Sequence, residues 1–190
     1  MGLDMYLEKC DRRAWGFKDL DIDDVKENKP DLYNEIKPYL YERGKYHHWE
    51  SIFAEVGYWR KANAIHKWFV ENVQNDVDDC DYYEVSKKNL QELLNICTEI
   101  KNKCRMTKGS IKNGERLVDG VWTPMMEEGE YIENPEIAEE LLPTQDGFFF
   151  GSTAYDQWYM ADIEETIDIL TRALETTDFD REMIVYCASW

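Results

Sequence analysis

The chain has 190 residues, enough for one domain whose core needs no disulfide or metal staple. There are 40 acidic against 22 basic residues, a net charge of −18, and long-range repulsion argues against nucleic-acid phosphates or an anionic membrane as partners. A hydrophobic fraction of 43% with 14% aromatic residues excludes a disordered chain.

In chain order, residues 3–9 read as a short strand. Asp19 to Asp24 is an acidic, solvated run, and Pro30 to Ile36 reads as one or two helical turns limited by Pro38. His47 and His48 are adjacent, so one strand or helix does not turn both toward a single site. A first long helix is expected from about Trp59 to Val73. A second runs from Ser86, a good N-cap, to about Lys103, with Leu90, Leu93, Leu94, Cys97, Ile100 and Cys104 as its apolar stripe. Residues 105–132 carry β-prone pieces, and Asn113-Gly114 is a hairpin-turn signal. Asn134-Pro135-Glu136 reads as a helix start, and Pro143 stops that short helix. A third long helix is expected from about Ala154 to Leu174. Met183 to Trp190 is a continuous apolar, β-prone run that predicts a buried strand. The fold expected is a single α+β domain: a small, mostly antiparallel sheet containing both termini, packed by two or three main helices that include a contact between the first and third.

Cys10, Cys80, Cys97, Cys104 and Cys187 are odd in number and form no C-x-x-C pair, which excludes a disulfide framework or a zinc knuckle. Asp4 interrupts the first residues where a signal peptide needs an apolar run, and no stretch approaches the ~20 apolar residues of a membrane span. A cytoplasmic protein with neither metal nor cofactor is the expectation.

Two aromatic-rich segments mix polar groups into apolar faces. Over residues 57–70, helical spacing puts Trp59, Ala62, Ile65, Phe69 and Val70 on one face, with His66 inside it and Asn63 at its edge. Arg60 and Lys67 project from the opposite side as surface or ion-pair residues. Either His66 and Asn63 line a pocket, or His66 is a core histidine satisfied by a neighbour. Over residues 142–159, a short apolar run between glycines leads into a helix through Ser152 and Thr153, either of which can cap it. Free N–H groups from Gly151 to Ala154 would suit an anion, although no P-loop lysine and no G-x-G-x-x-G pattern accompanies them. Asp156 falls on the apolar face of the third helix with Tyr155 and Tyr159. Buried there, it needs a partner, and Arg60, His66 or a backbone amide could serve. No G-x-S-x-G or H-E-x-x-H motif is present.

Met1-Gly2-Leu3-Asp4-Met5-Tyr6-Leu7, Gly57-Tyr58-Trp59-Arg60-Lys61-Ala62-Asn63 with His66 and Trp68-Phe69-Val70, and Leu142-Pro143-Thr144-Gln145 through Phe148-Phe149-Phe150-Gly151-Ser152-Thr153 with Tyr155-Asp156 form a set. Together they resemble a family of small proteins, without assigned activity, encoded by bacteriophages, prophages and some bacteria. The matching blocks span nearly the whole chain except roughly residues 75–135. The resemblance implies a mobile-element context, in the host cytoplasm, and counter-defence by sequestering a nucleotide signal or binding a host protein.

Three functions follow. The first is a small-ligand binding protein, for a nucleotide-like signal, with Trp59, Asn63, His66, Ser152, Thr153, Tyr155, Asp156 and Trp158 around one pocket. The second is an inhibitor whose acidic surface meets a basic host protein. The third is an enzyme using His66 and Asp156 as an acid/base pair. A homo-oligomer is compatible with each.

Overall fold

A computed structural model describes residues 2–44, 49–147 and 149–190. His47 and His48 lie outside the described residues, as do Met1 and Phe148. The architecture is α+β. Strands β1 (Asp4–Asp11) and β8 (Glu182–Ser189) form the centre of a four-stranded antiparallel sheet, flanked by β4 (Ala54–Arg60) beyond β1 and β5 (Tyr83–Val85) beyond β8. Both terminal segments thus occupy the middle of the sheet.

Alternation explains why these central strands are so apolar. Met5 and Leu7 of β1, Trp59 of β4, and Ile184, Tyr186 and Ala188 of β8 enter one core, shared with α3 (Asn63–Asn72), α4 (Lys87–Lys103) and α6 (Gln157–Thr176). Cys10, Met183 and Val185 enter a second core on the other face, shared with α1 (Ile22–Asn28), α2 (Pro30–Ile36), Ile52 and Phe53. A strand covered on both faces loses the polar half of its pattern. Ser86 caps α4 as expected, its Oγ accepting from Asn89 N at 3.1 Å.

Three local expectations are corrected. Trp59 and Arg60 do not begin a helix. They continue β4, paired with Met5 and Asp4, and Lys61 takes a left-handed φ of 63° that separates strand from helix, so α3 starts at Asn63. Neither Ser152 nor Thr153 caps the last long helix. Asp156 does, its carboxylate accepting from Trp158 N and Tyr159 N, so α6 starts at Gln157. Asn113-Gly114 marks an irregularity rather than the turn of the ribbon formed by β6 (Met106–Val118) and β7 (Val121–Ile132). The turn is Asp119-Gly120, with φ of 51° and 83°, the two left-handed residues that a type I′ turn requires. Trp59 Nε1 donates to Thr166 Oγ1 of α6 at 2.9 Å, and α3 and α6 contribute to the same core, so the end of β4 joins them. The short helix before Pro143 is α5 (Glu136–Leu141), and an antiparallel ladder of three residue pairs joins β2 (Tyr41–Arg43) to β3 (Trp49–Ser51).

Helix α6 lies close on β4. Arg172 Nη2 donates to Val56 O at 2.9 Å, and a Cβ placed on Gly57 would fall 2.2 Å from Ile169 Cγ2. Only a residue without a side chain permits this approach. Gly57→Ala should therefore lower the unfolding free energy by about 1–3 kcal/mol, and pairing it with Ile169→Ala should remove that overpacking penalty relative to Ile169→Ala alone. Chemical denaturation of the two single variants and the double variant measures both effects. Full additivity would contradict the close approach.

Candidate functional site

The two aromatic-rich segments meet through Asn63. This residue stands at the first position of α3, but its side chain does not cap the helix. Its Nδ2 donates to Ser152 O at 2.8 Å and to Phe150 O at 3.2 Å, and its Oδ1 accepts from Gln145 N at 3.0 Å. A buried amide thereby holds both ends of the loop over residues 145–152. The loop is further closed by Thr144, whose N donates to Tyr155 Oη at 3.2 Å and whose Oγ1 donates to Thr153 O at 3.1 Å. Gly151, at a φ of 98°, packs against Lys61: a Cβ there would sit 3.0 Å from Lys61 O. Lys61, Phe149 and Gly151 all have positive φ, so left-handed backbone is concentrated where the segments touch.

The β6–β7 ribbon is tied to the same place. Tyr131 forms an isolated bridge with Asp156, Ile132 N donates to Tyr155 O at 2.9 Å, and Glu130 N donates to Gln157 Oε1 at 3.0 Å. Between the ribbon, the β4–α3 junction and the first turns of α6 lies a cavity of about 390 Å³. Arg60, Lys61 and Asn63 line it from the junction, Lys112 and Asn113 from the ribbon, Ser152 from the loop, and Asp156, Trp158 and Asp162 from α6. Trp158 is 52% exposed, with an accessible ring surface.

Of the expected site residues, Asn63, Ser152, Asp156 and Trp158 line this cavity, and the other four have different roles. Trp59 is core. Tyr155 packs edge-on against Tyr159, with centroids 4.9 Å apart. Thr153 contributes its carbonyl to the loop. His66 is fully buried: its Nδ1 lies 2.8 Å from Tyr186 Oη, and its Nε2 lies 3.1 Å from Asp78 Oδ1 without the alignment of a good hydrogen bond. Burial lowers the His66 pKa, against the pull of Asp78, and raises that of Tyr186 well above the usual phenol value. A neutral imidazole accepting at Nδ1 from the protonated tyrosine fits both directions. His66 and Asp156 have separate partners, so their acid/base pair is not made.

Asp156 is 2% exposed, and its Oδ1 takes the α6 amides of Trp158 at 2.9 Å and Tyr159 at 3.4 Å. The anion cradle expected over Gly151 to Ala154 is therefore not a helix N-terminus. The Ala154 N–H donates to Ser152 Oγ at 3.1 Å, and the true N-terminus is occupied by the chain's own carboxylate. Asp156 Oδ2 is buried without a hydrogen-bond partner. Desolvation, followed by Glu165 and Asp156, pushes the Asp162 carboxyl up to about 7. Among the described residues no group of three His, Cys, Asp or Glu side chains is placed to hold a metal ion.

The residues missed from sequence are mainly the basic ones. Arg60 was expected at the surface, and Lys61 and Lys112 carried no expectation. Lys61 is positioned by its left-handed turn, and Lys112 by the bonds that tie the ribbon to the start of α6. Neither leaves a periodic signal. Comparison with protein-family models, with curated proteins and with solved structures found no match.

Asp162 makes a pH prediction with a definite sign. Its folded-state pKa lies above the unfolded value of about 4, so the folded state holds more protons between about 4 and about 7. Stability relative to Asp162→Asn should fall as pH rises through that window and level off above it. Denaturation of both proteins at about pH 5 and about pH 8 checks this. An unchanged difference would contradict the desolvated carboxyl.

Proposed function

We propose that the cavity binds a small anionic ligand bearing a flat ring, of the nucleotide class, and that the protein acts by holding it. The observation that carries this reading is the convergence of Arg60, Lys61 and Lys112 on one cavity in a chain of net charge −18. Lys61 makes no ion pair among the described residues, and Arg60 is only 3.9 Å from Asp4 at an exposed position. Lys112 is held by Glu115 at 2.6 Å. Asp156 and Asp162 line the same cavity, so its three basic side chains make it positive relative to a chain of −18 and favour a ligand phosphate there over the rest of the surface.

The remaining lining groups suit the rest of a nucleotide. The Trp158 ring offers a stacking surface, and Asn63, Asn113 and Ser152 surround it with amide and hydroxyl groups. A volume of about 390 Å³ falls within the range of small-molecule sites. Among the described residues that line the cavity no nucleophile is paired with a base, which favours retention of the ligand over turnover. Sequestration of a nucleotide signal in a host cytoplasm suits the resemblance to phage-encoded proteins.

Calorimetry against linear and cyclic nucleotides tests the proposal. Binding should weaken by about tenfold or more in both Lys61→Gln and Trp158→Ala, with the melting temperature of the free protein retained, and should weaken as salt rises. Absence of heat and of thermal shift across the panel would overturn it.

A further inference from the structure

Trp158 and Asp162 line the cavity from α6, four residues apart, so they stand side by side on one face of the helix. The Trp158 ring is half-exposed. Asp162 is partly buried beside it, and among the described residues its carboxyl makes neither a hydrogen bond nor an ion pair. Carboxyl groups taken out of water are ordinarily partnered. An unpartnered one on a cavity wall, next to an open ring, is matched by N–H donors carried on a flat ligand.

We propose that Asp162 determines the specificity of this cavity, its carboxylate accepting the paired N–H donors of a guanine-type base stacked on Trp158. This rests on the nucleotide reading of the cavity and names the base within it.

Donor and acceptor chemistry selects the base. A carboxylate accepts on both oxygens. Among the common bases only guanine sets two N–H donors, its ring N1–H and its 2-amino group, side by side on one edge. They can meet a carboxylate in the parallel fork that a guanidinium makes with it. Adenine sets its amino group beside a ring acceptor, which would oppose a carboxylate oxygen. Hypoxanthine keeps the ring N–H but lacks the 2-amino group, so it offers one donor where guanine offers two. Arg60, Lys61 and Lys112 are left to the phosphate.

The surroundings of Asp162 couple this contact to pH. Burial, then Glu165, then Asp156 hold its carboxyl up at about 7. Asp156 is fixed there by the amides of Trp158 and Tyr159. Among the described residues no cation is paired with Asp162: Arg60 lies 3.9 Å from Asp4, Lys112 is engaged by Glu115 at 2.6 Å, and Lys101 of α4, which packs on α6, is engaged by Glu164 at 3.1 Å. Glu127 of the ribbon accepts from Asn113 at 2.8 Å, and the Tyr159 hydroxyl donates to Leu142 O at 2.9 Å. What the free protein lacks at this carboxyl is donors. Guanine supplies two, and they favour the ionised form. Binding of guanine therefore releases a proton below about pH 7 and strengthens as pH rises through that value.

Calorimetry with guanosine, inosine and adenosine monophosphates at about pH 6 and about pH 8 reads the assignment. The three share their phosphate, so ratios of affinity cancel its own titration. At about pH 8 the guanosine compound should bind at least about tenfold tighter than the other two, and the margin should narrow by up to about tenfold at about pH 6. Asp162→Asn, whose amide offers one acceptor and one donor, should abolish both the margin and its pH dependence, with the melting temperature of the free protein retained or raised. Asp162→Ala should abolish the margin as well. A margin that survives in both variants would overturn the assignment to Asp162 while leaving the ligand reading in place, as would wild-type binding of the inosine or adenosine compound as tight as that of guanosine. A margin that widens at about pH 6 would overturn the ionised contact. No heat from any nucleotide would overturn the ligand reading and this assignment together.

Discussion

Asn63 spends its side chain on backbone that is distant in sequence. Its amide takes Gln145, Phe150 and Ser152 in three hydrogen bonds, while it begins a helix that it does not cap. Each such bond contributes on the order of 1 kcal/mol net, and removing the amide would also leave the buried Phe150 carbonyl without this partner, at about 1–3 kcal/mol. The position of the loop, and with it the wall of the cavity, depends on this clamp. Lys61 and Gly151, both in left-handed conformations, fit beside the clamp because Gly151 has no side chain: a Cβ there would lie 3.0 Å from Lys61 O and 3.1 Å from Lys61 Cβ.

The electrostatics of the site follow from the same geometry. The amides at the start of α6, which would ordinarily attract an anion, are taken by Asp156. Positive character in the cavity therefore comes from side chains carried by two other elements, the β4–α3 junction and the β6–β7 ribbon. Asp162, held near neutrality by burial, adds little negative charge below about pH 7. A chain of net charge −18 in this way gathers three basic side chains at one recess.

Much of the scaffold was legible in the sequence because it rests on periodicity and capping. The apolar run at Met183 to Ala188, the stripe of α4 behind Ser86 and the stop at Pro143 each appear where their patterns place them. Trp59 was misassigned because an aromatic at the end of a strand satisfies helical spacing with the residues of α3 as well as it satisfies sheet alternation. Asp156 was read as a buried carboxylate in need of a partner. It has one in the amides of its own helix, a backbone amide being one of the partners the sequence allowed, although which amide depends on the first residue of the helix. Four of the eight expected site residues line the cavity, since Asn63, Ser152, Asp156 and Trp158 lie next to the points where chain direction changes. Lys112 could not be anticipated, because only the long-range bonds between the ribbon and the start of α6 bring it there. The choice of Asp119-Gly120 over Asn113-Gly114 as the turn depended on a register that two equally good turn signals do not settle.

The clamp is open to a direct reading. Hydrogen–deuterium exchange of Asn63→Ala against wild type follows the backbone it holds, and Gln145 N–H reports the bond to Asn63 Oδ1. The expected result is exchange at least about tenfold faster at Gln145 and across residues 145–152, with the amides of α4 and β8 unchanged. Equal protection of that loop in both proteins would contradict the dependence of the cavity on Asn63.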